Sequence, residues 1–202
     1  MSRCQIESLS LRFPELKEDY ALICGKIKQK RLAHTLGVLE TACELSQLYG
    51  GNLLAVSRAA IYHDLFKGVQ KSELLELGRN LGYVVSDTVD ELPEIAHGPI
   101  AALWLEREGL VSDPVILNAV RYHTVGRRDM SLEEKIVYLA DAIEPGRDYP
   151  GVSALRMLSK ESLDKALLMS VSQTLAFVLE SGSLMHFQSV EMRNALLLTL
   201  EK

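Results

Sequence analysis

Four of the five histidines stand where they could do chemistry. His34 lies inside an apolar helical run, His63 is followed directly by Asp64, His97 precedes a helix start and His123 closes a helix. Asp141 joins them from the last turns of a capped helix, on a surface with Val137 and Ala140 that should face the core. An ionised carboxylate alone in low dielectric is costly, so something positive belongs beside Asp141. A divalent metal ion would serve the carboxylates and imidazoles together, because neutral imidazole and carboxylate oxygen both ligate first-row metals. Taken singly, each histidine is ordinarily a core residue bonded to a carbonyl, and only the ordered set argues for a ligand cluster. Adjacent helical residues point about 100° apart, so His63 and Asp64 share an ion only if it sits between their directions or if the helix ends there. Lys67-Gly68 supplies that ending. His186 has no partner at ligand spacing and is read as structural.

The elements that must hold these side chains are helical. Stop signals fall at intervals that suit a compact all-α bundle of about 8–10 helices joined by short loops. Over Lys30–Tyr49, Leu32, Leu36, Leu39 and Cys43 share one face, and His34, Val38, Thr41 and Leu45 form a second, closed by Gly50-Gly51. Leu53–Phe66 is apolar nearly all round, with Ala59 and Ala60 allowing close approach of a neighbour. Further helices are expected over Ser72–Leu81, from near Gly98 with Pro99 in its first turn to Glu108, and from Asp113-Pro114. A Ser131/Glu134 capping box opens another, ended by Pro145-Gly146. Gly82–Ser86 reads as an extended connector. Val152–Ser159, Leu163–Glu180 and Ser189–Leu200 complete the set and carry no chemical motif; Trp104 reads as core.

With 202 residues, 48% of them hydrophobic, one domain spanning 1–202 can bury its own core. The motif-bearing region covers about 31–150, with helices 152–200 packed onto it. Twenty-two basic against 27 acidic residues leave a net charge of −5, which argues against a surface for extended nucleic acid. No apolar run is long enough to span a membrane, and Arg3, Glu7 and Arg12 interrupt the first 14 residues, so a cytoplasmic protein is expected. Cys4, Cys24 and Cys43 are odd in number and form no C-x-x-C pair, which fits small buried hydrophobes rather than disulfides or a thiolate zinc site.

His34, His63-Asp64 and Asp141 resemble the ligand pattern of the HD-domain metal-dependent phosphohydrolases, an all-helical family. Arg31-Leu32-Ala33-His34, His63-Asp64-Leu65-Phe66-Lys67, Ala96-His97-Gly98-Pro99, His123-Thr124 and Tyr138–Arg147 are similar to the YqeK-type bacterial branch, whose members are symmetrical bis(5′-nucleosyl)-tetraphosphatases. The resemblance covers roughly Arg31 to Pro150. It implies metal ligation by His34, His63, Asp64 and Asp141, with iron expected, manganese as the other candidate, and one or two ions per chain. It further implies phosphate contacts from Arg31, His34, Lys67, His97, His123, Thr124 and Arg147, and catalytic roles for Asp64, Lys67, His97 and His123. His97 and His123 could hold either phosphate or a second metal, and phosphate is the expectation for both. Arg127-Arg128 reads as loop solvation. The implied reaction is hydrolysis of a dinucleoside polyphosphate, diadenosine tetraphosphate giving two ADP. Another HD nucleotide phosphohydrolase or phosphodiesterase, a di-iron oxygenase and a non-enzymatic nucleotide-binding module stay open as alternatives. The substrate is a small nucleotide, and a homodimer is compatible with the sequence.

Overall fold

A computed structural model describes residues 14–84 and 86–200. Cys4 and the polar breaks at Arg3, Glu7 and Arg12 lie outside the described residues. The chain runs through α1 (Lys17–Lys26), α2 (Gln29–Tyr49), α3 (Leu53–Tyr62), α4 (Lys71–Asn80), α5 (Asp87–Glu91) and α6 (His97–Arg107). It continues through α7 (Pro114–Tyr122), α8 (Leu132–Ile143), α9 (Val152–Glu161), α10 (Leu163–Glu180) and α11 (Phe187–Leu200), with single 3₁₀ turns at Pro14–Leu16 and Pro93–Ala96. No strand occurs among the described residues, as the helical periodicity implied. No described helix is long and apolar enough to cross a membrane.

The centre is built from α2, α3, α7 and α8, which pack on one another, while α6 covers α7. Both expected faces of α2 are used: Leu32, Leu39 and Cys43 are buried on one, Val38 and Leu45 on the other. Ala55, Ala59 and Ala60 on α3 are also buried and bring its backbone close to its neighbours. Leu39, Ile136 and Leu139 lie at the centre of this core, where each buried side chain contributes roughly 1.5–3 kcal/mol. A smaller apolar cluster of Leu74, Leu75, Val89, Ala96 and Ile100 joins α4 and α5 to α6. Helices α9, α10 and α11 pack in sequence, and α9 and α10 also reach α8.

Most local signals act as expected. Gly50 ends α2 in the left-handed conformation, Asn52 caps α3 through the Ala55 amide, and Asp113 caps α7. Three differ. Helix α3 stops at Tyr62, so His63 and Asp64 begin a run of turns and not the last helical turn. Helix α6 starts at His97 itself, one residue before the expected Gly98. The Ser131 hydroxyl accepts from the Glu134 amide, but the Glu134 carboxylate does not complete the box: Arg127 donates to both its oxygens at 2.7 and 2.6 Å. Arg127 is therefore a structural cation neutralising a buried acid, a pairing invisible while Glu134 is read only as a cap.

Candidate metal and phosphate site

Each of the four histidines has one ring nitrogen already committed. The Nδ1–H of His63 donates to the Ala60 carbonyl at 2.7 Å, that of His123 to Val120 at 2.7 Å, and that of His97 to Glu94. A carbonyl oxygen only accepts, so these three rings must carry their proton on Nδ1. Each acceptor lies three residues earlier, in the last turn of a helix or in a 3₁₀ turn. His34, in mid-helix, lacks such a carbonyl, and its Nδ1 instead meets the buried Glu144 carboxylate at 3.0 Å.

All four Nε2 atoms consequently turn to one place. His34 Nε2 lies 3.3 Å from His63 Nε2 and 3.0 Å from Asp141 Oδ1, and these three residues form one possible ligand group. His97 Nε2 lies 3.0 Å from His123 Nε2 and 3.1 Å from Asp64 Oδ1, forming a second. Asp64 joins the two: Oδ1 faces His97 and His123, whereas Oδ2 is 3.7 Å from His34 Nε2 and 3.8 Å from His63 Nε2. His63 closes α3 with helical backbone angles, φ −53 and ψ −42, so its side chain and that of Asp64 reach the centre from different directions.

The donor set fits a divalent cation. Two ring nitrogens at 3.0–3.3 Å cannot both present lone pairs unless a proton or a cation lies between them. Nitrogen and carboxylate oxygen together, with no thiolate, suit a first-row ion. Burial alone would raise the Asp64 pKa, yet the His97 hydrogen bond and the nearby His63, Lys67 and His123 hold it well below the carboxylate range. Asp141 behaves likewise, through His34 first and then His63, Arg147 and His123. Burial pushes His123 well down and also lowers His97 against the pull of Asp64, so both favour the neutral, ligating form. Burial opposes protonation of His34 too, but Asp141 and Glu144 outweigh it and raise its pKa.

Cations border the cluster. Arg31 donates to Asp64 Oδ2 at 3.1 Å, and Arg147 bonds the backbone carbonyl of Asp141 at 2.7 Å as well as its carboxylate. Lys67 lines a groove with Arg31 and His97, and the Thr124 hydroxyl is 3.0 Å from His123 Nε2. Every residue singled out in the sequence for metal or phosphate thus lies in or beside this cluster. Cys43 is buried, Cys24 half-buried, and His186 stacks on Phe187. Trp104 is half-buried against Phe66.

Three contributors escaped the sequence reading. Glu144 orients His34 and also accepts the Gly146 amide at 2.6 Å. Gly37 makes room for it: a Cβ there would lie 2.5 Å from Glu144 Oε2. Gly98 lets α6 meet α7, since its Cβ would come within 2.8 Å of the Val120 carbonyl and 3.0 Å of the His123 ring. The only sequence signal was glycine inside helices, where it costs about 1 kcal/mol against alanine without some packing reason.

Residues 31–146 match the HD domain family. Over 83% of its length this chain is 38% identical to the symmetrical bis(5′-nucleosyl)-tetraphosphatase of Bacillus subtilis, of which it covers 90%. It is 37% identical over 88% of its length to the protein of the same name from Halalkalibacterium halodurans, covering 94% of it. The crystal structure of an HD superfamily hydrolase from Clostridium acetobutylicum, described as involved in NAD metabolism, superposes with a TM-score of 0.85 at 36% identity, over 89% of this chain and 95% of that one.

Proposed function

This chain belongs to the HD domain family, and from that premise we propose that it is a metal-dependent phosphoanhydride hydrolase cleaving dinucleoside polyphosphates symmetrically, diadenosine tetraphosphate and water giving two ADP. The observation that carries the reading is the convergence of His34, His63, Asp64, His97, His123 and Asp141 on one centre with Arg31, Lys67 and Arg147 at its edge. His34, His63 and Asp141 would hold one cation and His97 and His123 a second, with Asp64 shared between them. Iron is the expected metal and manganese the alternative. For His97 and His123 the tautomers favour a cation over direct phosphate contact, because Nδ1–H is spent on a carbonyl and Nε2 turns a lone pair toward the centre.

A bound divalent cation supplies the charge that eases deprotonation of water and gathers phosphate oxygens. The protein's own groups do the rest. Arg147 is held on Asp141, leaving further guanidinium N–H donors for phosphate oxygens. Arg31 and Lys67 neutralise the polyphosphate beside His97, and the Thr124 hydroxyl, which donates to His123 Nε2, would be freed to donate to phosphate once that nitrogen holds a cation. Because these groups are fixed before substrate arrives, they stabilise charge developing on the leaving diphosphate with little reorganisation. No serine or cysteine stands among the cluster residues, so water is the nucleophile.

Metal analysis beside a product assay on diadenosine tetraphosphate tests this, with wild type run against Asp64→Ala. Wild type should carry metal and release ADP alone, and the variant should lose both. AMP plus ATP as products, or no turnover by metal-loaded wild type, would reject the assignment.

A further inference from the structure

Helix α8 ends where the cluster needs a fixed backbone. Asp141 lies in its last turn, Ile143 is its last residue, and Glu144 and Arg147 follow directly after it. A helix end leaves its final four carbonyls without donors inside the helix, here those of Ala140, Asp141, Ala142 and Ile143. Each has found one outside. The Glu144 amide donates to Ala140 at 3.0 Å, Arg147 Nε to Asp141 at 2.7 Å, the Tyr149 hydroxyl to Ala142 at 2.8 Å and Arg156 Nε to Ile143 at 2.8 Å.

Arg156 goes beyond capping. It stands half-buried on α9, outside the residues 31–146 that match the family and in the part of the chain without a motif. Its Nη2 donates to the Glu144 carbonyl at 2.7 Å and to the Arg147 carbonyl at 2.8 Å, so one edge of the guanidinium spends Nε–H and both Nη2–H bonds on a single segment. The Glu144 carbonyl also accepts the Arg147 amide at 2.9 Å, which closes the turn that the guanidinium spans. A planar fork can tie a helix end to the far side of a turn in this way, whereas a lysine ammonium offers its donors from one point. The positive charge is also favourable at the C-terminal end of α8.

The segment held by Arg156 aims Glu144, whose carboxylate meets His34 Nδ1 at 3.0 Å. His34, His63 and Asp141 form one of the two possible ligand groups. The three hydrogen bonds of Arg156 all go to backbone carbonyls, none to a cluster side chain. Removing it would leave three carbonyls short of a donor at once and free the backbone that carries Glu144.

We propose that Arg156 is a positioning residue for the cation site at His34, His63 and Asp141, acting through Glu144. The inference rests on the metal-centre reading above and extends it to a helix that the family match does not cover. Metal affinity is then set in part by a side chain that touches neither ligand nor metal.

Manganese(II) binding to the full chain, stripped of metal and measured by competition with a fluorescent chelator, tests this. Arg156→Ala should weaken binding about tenfold, the low end of what losing support behind a ligating histidine costs. Arg156→Lys, which keeps the charge but not the fork, should fall between Arg156→Ala and wild type. The Glu144→Ala/Arg156→Ala double variant should bind within about twofold of Glu144→Ala alone, because the two residues act in series. Unchanged affinity in Arg156→Ala, with or without a lower Tm, would reduce the fork to a structural cap and overturn the inference. Losses that multiply in the double variant would overturn it too, since a general loosening of the fold adds to the loss of Glu144. If Arg156→Ala does not fold, the same comparisons are made with Arg156→Lys, where a smaller loss that vanishes beside Glu144→Ala is expected and unchanged affinity overturns the inference. Diadenosine tetraphosphate cleavage is assayed on the same wild-type sample. Manganese binding without ADP formation would remove the hydrolase reading and leave the role of Arg156 standing, whereas no manganese binding by wild type would remove both.

Discussion

A cavity of about 670 Å³ lies between the cluster, at His123 and Asp141, and α10, at Gln173 and Phe177, and its two walls are finished to different degrees. On the cluster side His63, His97 and His123 are all but inaccessible, and each has its Nδ1 bonded to a fixed carbonyl. On the α10 side Gln173 keeps an unpaired acceptor and Phe177 stands largely in solvent. The first wall is preorganised because groups that stabilise developing charge lose their effect if they must reorient during reaction. The second leaves valences open for a ligand to satisfy. Changes to one wall should therefore move metal content and turnover, and changes to the other should move substrate affinity.

The largest effect should come from His63→Ala, which removes an Nε2 from the centre of the cluster. Metal should be lost, and ADP formation should fall by at least about 10²–10³-fold, the scale of removing one preorganised electrostatic contact. Elemental analysis with single-turnover kinetics checks it. Retained metal with raised KM would erase the distinction between the walls.

Glu144→Ala comes next. Its carboxylate meets His34 Nδ1 and, at 3.9 Å, Arg147 Nε at the cluster's edge, so its loss should weaken metal binding about 10–100-fold in chelator competition while saturating metal restores most of kcat. Glu144→Gln keeps one acceptor for either His34 or the Gly146 amide and should fall between. An equal loss of kcat at saturating metal would place Glu144 in the chemistry itself.

The difference between the walls also explains what could be read from sequence. Candidate ligands for a first-row metal come from a short list of residue types, here histidine and carboxylate, so His34, His63-Asp64, His97, His123 and Asp141 were legible as a set, as were the helices with strong caps and apolar faces. Short α5 lacks enough turns to show a period, and α1 mixes charged and apolar positions around its circumference. Helix α3 ends at Tyr62, ahead of Lys67-Gly68, where no glycine or proline marks the stop. Glu144 stood inside the stretch that carried the family likeness, but its partner lies 110 residues away, and no local signal reports that. Gln173 and Phe177 were silent for a further reason: an aromatic ring and an amide are residue types that any helix can carry.

Two glycines, one behind each wall, sharpen the comparison further. At Gly37 an alanine Cβ would meet Glu144 Oε2 at 2.5 Å, and overpacking of this kind costs about 1–3 kcal/mol. For a domain of this size that is roughly a 2–12 °C fall in Tm. Metal affinity should drop with it, because the displaced carboxylate is the one that aims His34. Differential scanning calorimetry and chelator competition on the same sample should move together; a Tm loss with unchanged metal affinity would show that His34 holds its orientation without Glu144.

Gly151→Ala should have the smallest functional effect and the opposite signature. Gly151 has φ +92, a backbone region in which a side chain costs roughly 1–2 kcal/mol, so some stability is lost whatever the neighbours do. The new Cβ would also press on Gln173 Nε2 from 2.6 Å, and the amide is an end of a flexible side chain that can yield by rotating. Rotation carries Oε1 away from the cavity, which should raise KM for diadenosine tetraphosphate by about 2–10-fold, the worth of roughly one hydrogen bond. Metal stoichiometry and kcat should stay as in wild type, because no cluster residue touches Gly151. Steady-state kinetics at saturating metal read the difference directly: a kcat loss with unchanged KM would mean that the α10 wall takes part in the chemical step, and the division between a finished wall and an open one would fail.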